Sequence, residues 1–436
     1  MLYRKWDQID TFIRDEKIAS LLITPLINFH HTTLSNGLEI VAETNEAAYS
    51  AAIGFYVKTG ARDETPEIAG VSHFLEHLVF KGAQTSSAEE VNRRLDEMGA
   101  DSNAYTSEEH TMYYGAVLPE LIGDFIELTA DLLRPALRPE DIELERQVVL
   151  EEIGMYEDTP PFGTDEICRE LFFKGHPLGN SILGTVKSVN SLDRETLLEY
   201  CRRQYSPDNI VVVGCGQIDF ARMTEQVERC CGSWKASSAS RHRNFRRVRG
   251  KRGFHPILKE SATLQYTMLL VDGPSCTEAD RYAAELLSCI LGDESGSRLF
   301  WELVDPGWVD SLGLSVYEYL DNGVFLTGMS CDPDLYEKNI NRIAEVYRLA
   351  SAKGFAQDEL ERARSKTCSR IVLGNERPKG RLFSVGNDWV VRRRYNSVRE
   401  ELDQINAVTL DDLHAVLRKY PLDQPLTLTI GPKRFR

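Results

Sequence analysis

The chain repeats itself. "LER" stands at 144–146 and again at 360–362, and "VNSLDRETL", starting at Val189, is echoed by "INAVTLDDL", starting at Ile405. Both pairs are 216 residues apart (360−144 and 405−189). Each copy is followed by a helix-like stretch and then a β-rich one, "NIVVVGCGQIDF" in the first and "PLTLTIGPKRF" in the second. Two matches at one offset, in one local order, are the trace of an internal duplication. A duplicated chain of 436 residues is expected to fold as two domains of one design, each of ordinary size.

Within the halves the pattern runs strand, helix, strand, long helices, then helix and strand. "GLEIVAET" and "AAIGFYVKTG" read as strands, and "NRRLDEMG" and "ELIGDFIELTADLLR" as helices. Local strand pairing with helices in blocks predicts an α+β fold: two homologous domains, each a mixed sheet packed by helices. Residues 237–254, "SSASRHRNFRRVRGKRGF", are basic and lack apolar periodicity. They read as a solvated linker rather than a nucleic-acid patch, because they lack interleaved aromatics. The resulting division is an extension at 1–27, an N-terminal domain at 28–236, the linker at 237–254 and a C-terminal domain at 255–436.

The net charge of −16 argues against nucleic acid or an anionic membrane as partner. No apolar run approaches the ~20 residues of a membrane span. The start, "MLYRKWDQIDTFIRDEK", has no apolar segment of a secretory signal and is too acidic for a transit peptide. Nine cysteines without CxxC spacing point to reduced thiols and a cytoplasmic location.

The chemistry is concentrated in two predicted helices. The first is "TPEIAGVSHFLEHLVFKG", with Thr65 as its expected N-cap, Pro66 in its first turn and Gly82 just past its end. At 100° per residue Ile68, Leu75 and Val79 share one face, and His73 and His77 point almost opposite. Histidines at i and i+4 can offer nitrogens to one cation, and Glu76, directly before the second, can reach a water on it. Zinc fits two imidazoles and one carboxylate with a fourth position open, Glu76 then being the general base for attack on a carbonyl. The third ligand is missing from this helix.

The second helix, "PEDIELERQVVLEEIGMYE", supplies it. Glu145 and Glu152 are seven residues apart and fall angularly between Val148 and Val149. A carboxylate among core-facing valines is costly unless a cation neutralises it. Glu152 is therefore expected as the ligand and Glu145 in the outer sphere of the ion, while Glu151 points about 100° away, to solvent.

HxxEH in this inverted order, followed 75 residues later (152−77) by the glutamate of "ERQVVLEE", resembles the M16 peptidases, or inverzincins. Length and single duplication are most similar to the M16B subfamily, which includes subunits of the mitochondrial processing peptidase. "SNGLEIV", "KTGARDE", "NAYTSEEHTMYYG", "HPLG" and "SRLF" extend the likeness over roughly residues 28–436. It implies one Zn2+ per chain on His73, His77 and Glu152, with Glu76 as base and Glu145 behind the ligands. It implies strand addition of an extended peptide substrate along "SNAYTS", with Asn103 and Ala104 at that edge. It also implies that the chain is half of a clamshell, closing with a second chain around a chamber.

The second half departs from the pattern. Position 289 (73+216) is a cysteine, so no second HxxEH exists. The Arg and Tyr that active relatives carry after "SRLF" are absent: the stretch reads "LVDPGWVDSLGLSVYEY", with Asp310 or Ser311 at the Tyr position and Tyr317 or Tyr319 as the nearby phenols. The resemblance thus implies either a heterodimer, whose paralogous partner supplies the Arg/Tyr pair, or a homodimer with an altered site. A non-catalytic core-type subunit of the same fold is the alternative function. His110 is expected beside the peptide edge, His176 in a structural role, and His30 and His31 at the surface before the first strand.

Overall fold

The computed structural model describes residues 27–237 and 246–435. The expected extension at 1–27 lies outside them apart from Ile27, as does part of the linker.

Two mixed sheets form the framework. The first contains β1 (Ile27–Thr33), β2 (Glu39–Asn45), β3 (Ala51–Val57), β4 (Asp101–Thr106), β5 (Thr111–Val117) and β6 (Ile210–Gly216), in the order β1-β2-β6-β3-β5-β4. The second contains β7 (Gly253–Leu258), β8 (Gln265–Asp272), β9 (Ser311–Glu318), β10 (Gly323–Cys331) and β11 (Leu426–Gly431), in the order β7-β11-β8-β10-β9. With β1 set aside the two orders are the same, and in each only one pair is parallel, β2 with β6 and β7 with β11. β6 begins at Ile210 and β11 at Leu426 (426−210 = 216), the spacing of the sequence repeat. β1 was not legible as a strand. It is an exposed edge whose "INFHHTT" has no clean apolar alternation, and His30 and His31 lie within it rather than before it.

Six of the helices carry the candidate site, its counterpart in the second domain and the contacts between the domains: α1 (Val71–Val79), α2 (Pro139–Asp158), α3 (Thr164–Phe172), α4 (Arg281–Gly292), α5 (Gln357–Asn375) and α6 (Pro378–Asn387). In the first domain α1 buries Val71, Phe74 and Leu75 against Leu38, Ile40, Ile53 and Phe55 from the sheet and its approaches. The other face of each sheet is covered by the opposite half of the chain. Leu382 and Val385 of α6 pack on Val41, Ala52, Tyr56 and Met112 of the first sheet. Cys168 and Phe172 of α3 pack on Leu270, Leu426 and Leu428 of the second. Thr164 shifted by 216 falls at 380, inside α6, so α3 and α6 are the same repeat element exchanged reciprocally.

The described part of the expected linker is mostly exposed, yet it is tied to the folded domains. Arg247 pairs with Glu278 at 2.6 Å, Gly250 N–H donates to Asp272, and Lys251 N–H donates to Phe172 O across the domains. β7 already begins at Gly253. All nine cysteines are unpaired. Among the described residues no helix is long and apolar enough to cross a membrane.

Candidate metal centre

α1 is shorter than its sequence suggests. Pro66–Ile68 form a separate 3-10 turn after Thr65, and the α-helix starts only after Gly70, whose φ is +87°. A Cβ on Gly70 would lie 2.5 Å from Leu183 O, so geometry and space both require glycine there. Gly70 has no side chain to cap the helix. Glu64 does so from outside: its carboxyl accepts N–H bonds from Gly70 at 2.6 Å and Ser72 at 2.8 Å. At the other end the helix stops at Val79, and Gly82, with φ +98°, turns the chain two residues after Phe80.

The outward face expected for the histidines is interior, because α2 lies against it. His73 is 7% exposed, and burial, with the neighbouring His77, lowers its pKa to about 3. Its imidazole is therefore neutral, with a lone pair available for a cation. His73 and His77 meet edge to face with ring centroids 4.7 Å apart. Their Nε2 atoms lie 3.7 and 3.6 Å from the same oxygen of Glu152, Oε2. One ligand atom from each of the three residues falls within 4.8 Å of the others.

That donor set suits zinc. Two imidazole nitrogens and a carboxylate oxygen at ligand bonds of about 2.0–2.2 Å in a tetrahedron stand ~3.4 Å apart, close to the two nitrogen–oxygen separations here. His73 Nδ1 is buried without a hydrogen-bond partner, whereas His77 Nδ1 is 3.1 Å from Glu145 Oε2. Glu145 is buried and also pairs with Lys81 at 2.5 Å. Glu151 is exposed. One detail of the phase is corrected: Val149 is fully buried but Val148 is 41% exposed, so the two carboxylates border the core rather than lying within it.

Glu76 opens into the same cavity, of about 450 Å³, as His73 and Glu152. Its Oε2 accepts a 3.0 Å hydrogen bond from Thr106 Oγ1, and burial raises its pKa. One wall of the cavity is β4, the free edge of the first sheet, through Ala104, Tyr105 and Thr106. Asn103 is on the same strand, exposed, outside the cavity lining. His110 stands at the β4–β5 turn and bonds Tyr105 OH at 2.8 Å; His176 Nδ1 accepts from Leu178 N–H.

Sequence reasoning missed the far wall. Glu166 and Arg169 of α3 line it. Glu166 accepts the Ile182 N–H and is raised by burial. Arg169 is buried and pairs with Glu108 at 2.7 Å. In "TDEICRELF" these charges sit on an amphipathic helix and resemble any solvated face. Nothing local shows that α3 crosses to the second domain.

The positions corresponding to the expected metal ligands in the second domain are Cys289, Asp293 and Cys368 (73, 77 and 152, each plus 216). Asp293 is held by Lys366 at 2.7 Å and Arg370 at 2.5 Å, both from α5. Fixed side-chain cations bridge α4 and α5 where the ligand set bridges α1 and α2. Asp310 precedes β9 and Ser311 opens it, and Ser311 Oγ bonds Ser330 Oγ at 2.8 Å. Tyr317 projects into an interdomain cavity of about 430 Å³, beside Glu108 and Asp165, and Tyr319 is buried against Phe173.

Two family models match the chain: insulinase (peptidase family M16) over residues 39–186, and the M16 inactive domain over 191–367. An uncharacterized zinc protease of Mycobacterium leprae is 32% identical over 409 residues, 92% of this chain and 91% of that protein. The chain belongs to the M16 peptidase family. A second relative, an uncharacterized zinc protease of Bacillus subtilis, is 30% identical over 92% of this chain and 97% of its own length. Among solved structures, a protease from Helicobacter pylori has a TM-score of 0.86 at 22% identity, covering 93% of this chain and all of that one. A chain of Complex III2 from Candida albicans has a TM-score of 0.81 at 17% identity, covering 93% of this chain and 96% of that one. These two are likenesses of fold, that of two α/β domains with mixed sheets packed by helices.

Proposed function

We propose that this M16 protein is a zinc endopeptidase acting on peptides or unfolded segments, with one Zn2+ on His73, His77 and Glu152. The observation that carries this reading is the convergence of three ligand atoms within 4.8 Å in one cavity with Glu76, beside an unpaired sheet edge. Zinc held there supplies a Lewis acid and lowers the pKa of water. The chain's residues do the rest. β4 offers backbone N–H and C=O groups to an extended peptide, which aligns the peptide along the cavity wall. Glu76, oriented by Thr106, takes the proton from the attacking water on its carboxylate and returns it to the leaving amine. The walls from α3 limit access of bulk water to the reacting atoms.

The stretch after "SRLF" lacks the Arg and Tyr that the family resemblance implies as donors for the oxyanion that develops during attack. Loss of one such donor costs about a hundred- to a thousandfold. We propose that a paralogous partner supplies an Arg and a Tyr across a dimer interface. A homodimer would present Asp310, whose charge repels an oxyanion, and Ser311, whose hydroxyl is engaged with Ser330. A non-catalytic core-type subunit has support from fold likeness alone, and the intact ligand set argues against it. The test is a metal count with digestion of an unstructured peptide, run on the chain alone and with candidate paralogous chains. About one zinc per chain, with cleavage appearing only in the mixture, is expected. Full activity of the chain alone would remove the partner, and no zinc after reconstitution would remove the peptidase.

A further inference from the structure

Lys81 lies two residues beyond the end of α1, outside the HxxEH motif. Its Nζ is 2.5 Å from Glu145 Oε1, and the other oxygen of that carboxylate is 3.1 Å from His77 Nδ1. The turn carrying Lys81 is fixed: Arg138 donates to Lys81 O at 3.1 Å and to Ala83 O at 2.8 Å. Lysine, carboxylate and imidazole therefore form a chain that leads from the protein surface to a face of the metal cluster.

The chain has a direction. Glu145 is 6% exposed, so each of its oxygens needs a donor. Lys81 has protons only to give and takes Oε1. Oε2 is left for the ring N–H of His77. A proton on Nδ1 leaves the lone pair on Nε2, the atom that faces Glu152 at 3.6 Å. Without the ammonium, the carboxylate loses the contact that sets its rotation. The imidazole then loses a fixed partner for one tautomer and one ring angle.

We infer that Lys81 is a positioning residue of the metal centre: by pinning Glu145 it fixes the tautomer and orientation of His77 as a ligand. This role rests on the proposed zinc site. Lys81 touches neither substrate nor ion, and its side chain is 26% exposed, so its replacement need not disturb the core.

The test uses the full chain with Lys81→Met, which keeps the stem, and Lys81→Arg, which keeps the charge. Zinc affinity is read by competition with a chromophoric chelator, the His77 tautomer by ring-nitrogen NMR of the metal-free protein, and folding by metal-free thermal unfolding. Lys81→Met should weaken zinc about 10- to 100-fold, as loss of an outer partner of a ligating histidine does. It should mix the His77 tautomers, lower the metal-free unfolding midpoint because one buried Glu145 oxygen is left without its donor, and have no added effect on zinc in a Glu145→Gln background. Lys81→Arg should restore most of the affinity. If Met is not tolerated, Lys81→Gln gives the same comparison. Unchanged zinc affinity in Lys81→Met, or an equal loss with and without Glu145, overturns the role of Lys81 while the zinc site stands. A wild-type chain that binds no zinc removes both.

Discussion

Thr106 Oγ1 donates to Glu76 Oε2 over 3.0 Å, joining the last residue of the free edge strand β4 to the proposed base on α1. The edge of the first sheet and the Glu76 carboxyl are thus tied by one hydrogen bond. On the proposed function, a peptide added to β4 would be brought into register with the base through the strand itself.

This relationship separates two variants. Glu76→Gln keeps size and most polarity but cannot accept a proton, so it should retain zinc and lose turnover by at least ~10²–10⁴-fold. Thr106→Val should retain zinc and lower kcat about tenfold, the equivalent of one ~1.4 kcal/mol hydrogen bond to a charged group. Peptide turnover and zinc content, measured on the same preparations of the active assembly, check both. Undiminished turnover in Glu76→Gln would reject the base assignment.

The two neighbouring carboxylates of α2 give a sharper comparison. Glu152 Oε2 is shared between the two imidazoles, whereas Glu151 is exposed. Glu152→Ala should reduce zinc retention through dialysis strongly and Glu151→Ala should not. His77→Ala should abolish retention. Equal retention in the 151 and 152 variants would show that the helix presents a different face.

Glu64 predicts a pH dependence of folding. Burial raises its pKa from the ordinary 4.5 to about 8, against the pull of the Ser72 and Gly70 N–H bonds. In the folded chain it keeps its proton up to about pH 8, whereas in the unfolded chain it loses it near 4.5. Between those values the folded state binds the extra proton, so its contribution is complete below the unfolded pKa and is lost as pH rises through the folded one. At about 1.4 kcal/mol per pH unit the loss is on the order of a few kcal/mol. Glu64→Gln does not titrate. The metal-free wild-type unfolding midpoint should therefore fall relative to that of Glu64→Gln between about pH 5 and 9, by calorimetry. Parallel midpoints across that range would mean that Glu64 is not the titrating group.

That His73, His77, Glu76 and Glu152 come together was legible because each lies within one helix, where a fixed 100° step converts spacing into direction. The duplication was legible because 216 residues separate whole repeats. What escaped depends on distant parts of the chain. Pro66 reads as the start of an α-helix, yet the carboxyl of Glu64 is what holds the helix start at Gly70. His73 and His77 read as facing away from the core, but α2, more than sixty residues on, encloses that side. Val148 and Val149 look alike in sequence, and only one meets the first core. "INFHHTT" became a strand because β2 offered an edge to pair with, not through any pattern of its own.

The exchange of α3 and α6 makes the two halves mutually dependent. Leu382 is fully buried among first-sheet side chains, and its carbonyl accepts from the Tyr56 hydroxyl at 3.2 Å. One residue before it, Arg381 pairs with Glu43 of β2 at 2.7 Å, both buried. A residue late in the second half thus completes the core under the first domain. Leu382→Ala should destabilise the protein by about 2–5 kcal/mol, the usual cost of emptying a buried leucine site. Since α6 and the first sheet share that core, signals from both domains should shift together in denaturant titrations. For the same reason residues 27–237 expressed alone should expose the apolar face of the first sheet and aggregate, and co-expression with residues 246–436 should rescue solubility. A stable, monomeric first half that binds zinc by itself would show that the covering helix is dispensable.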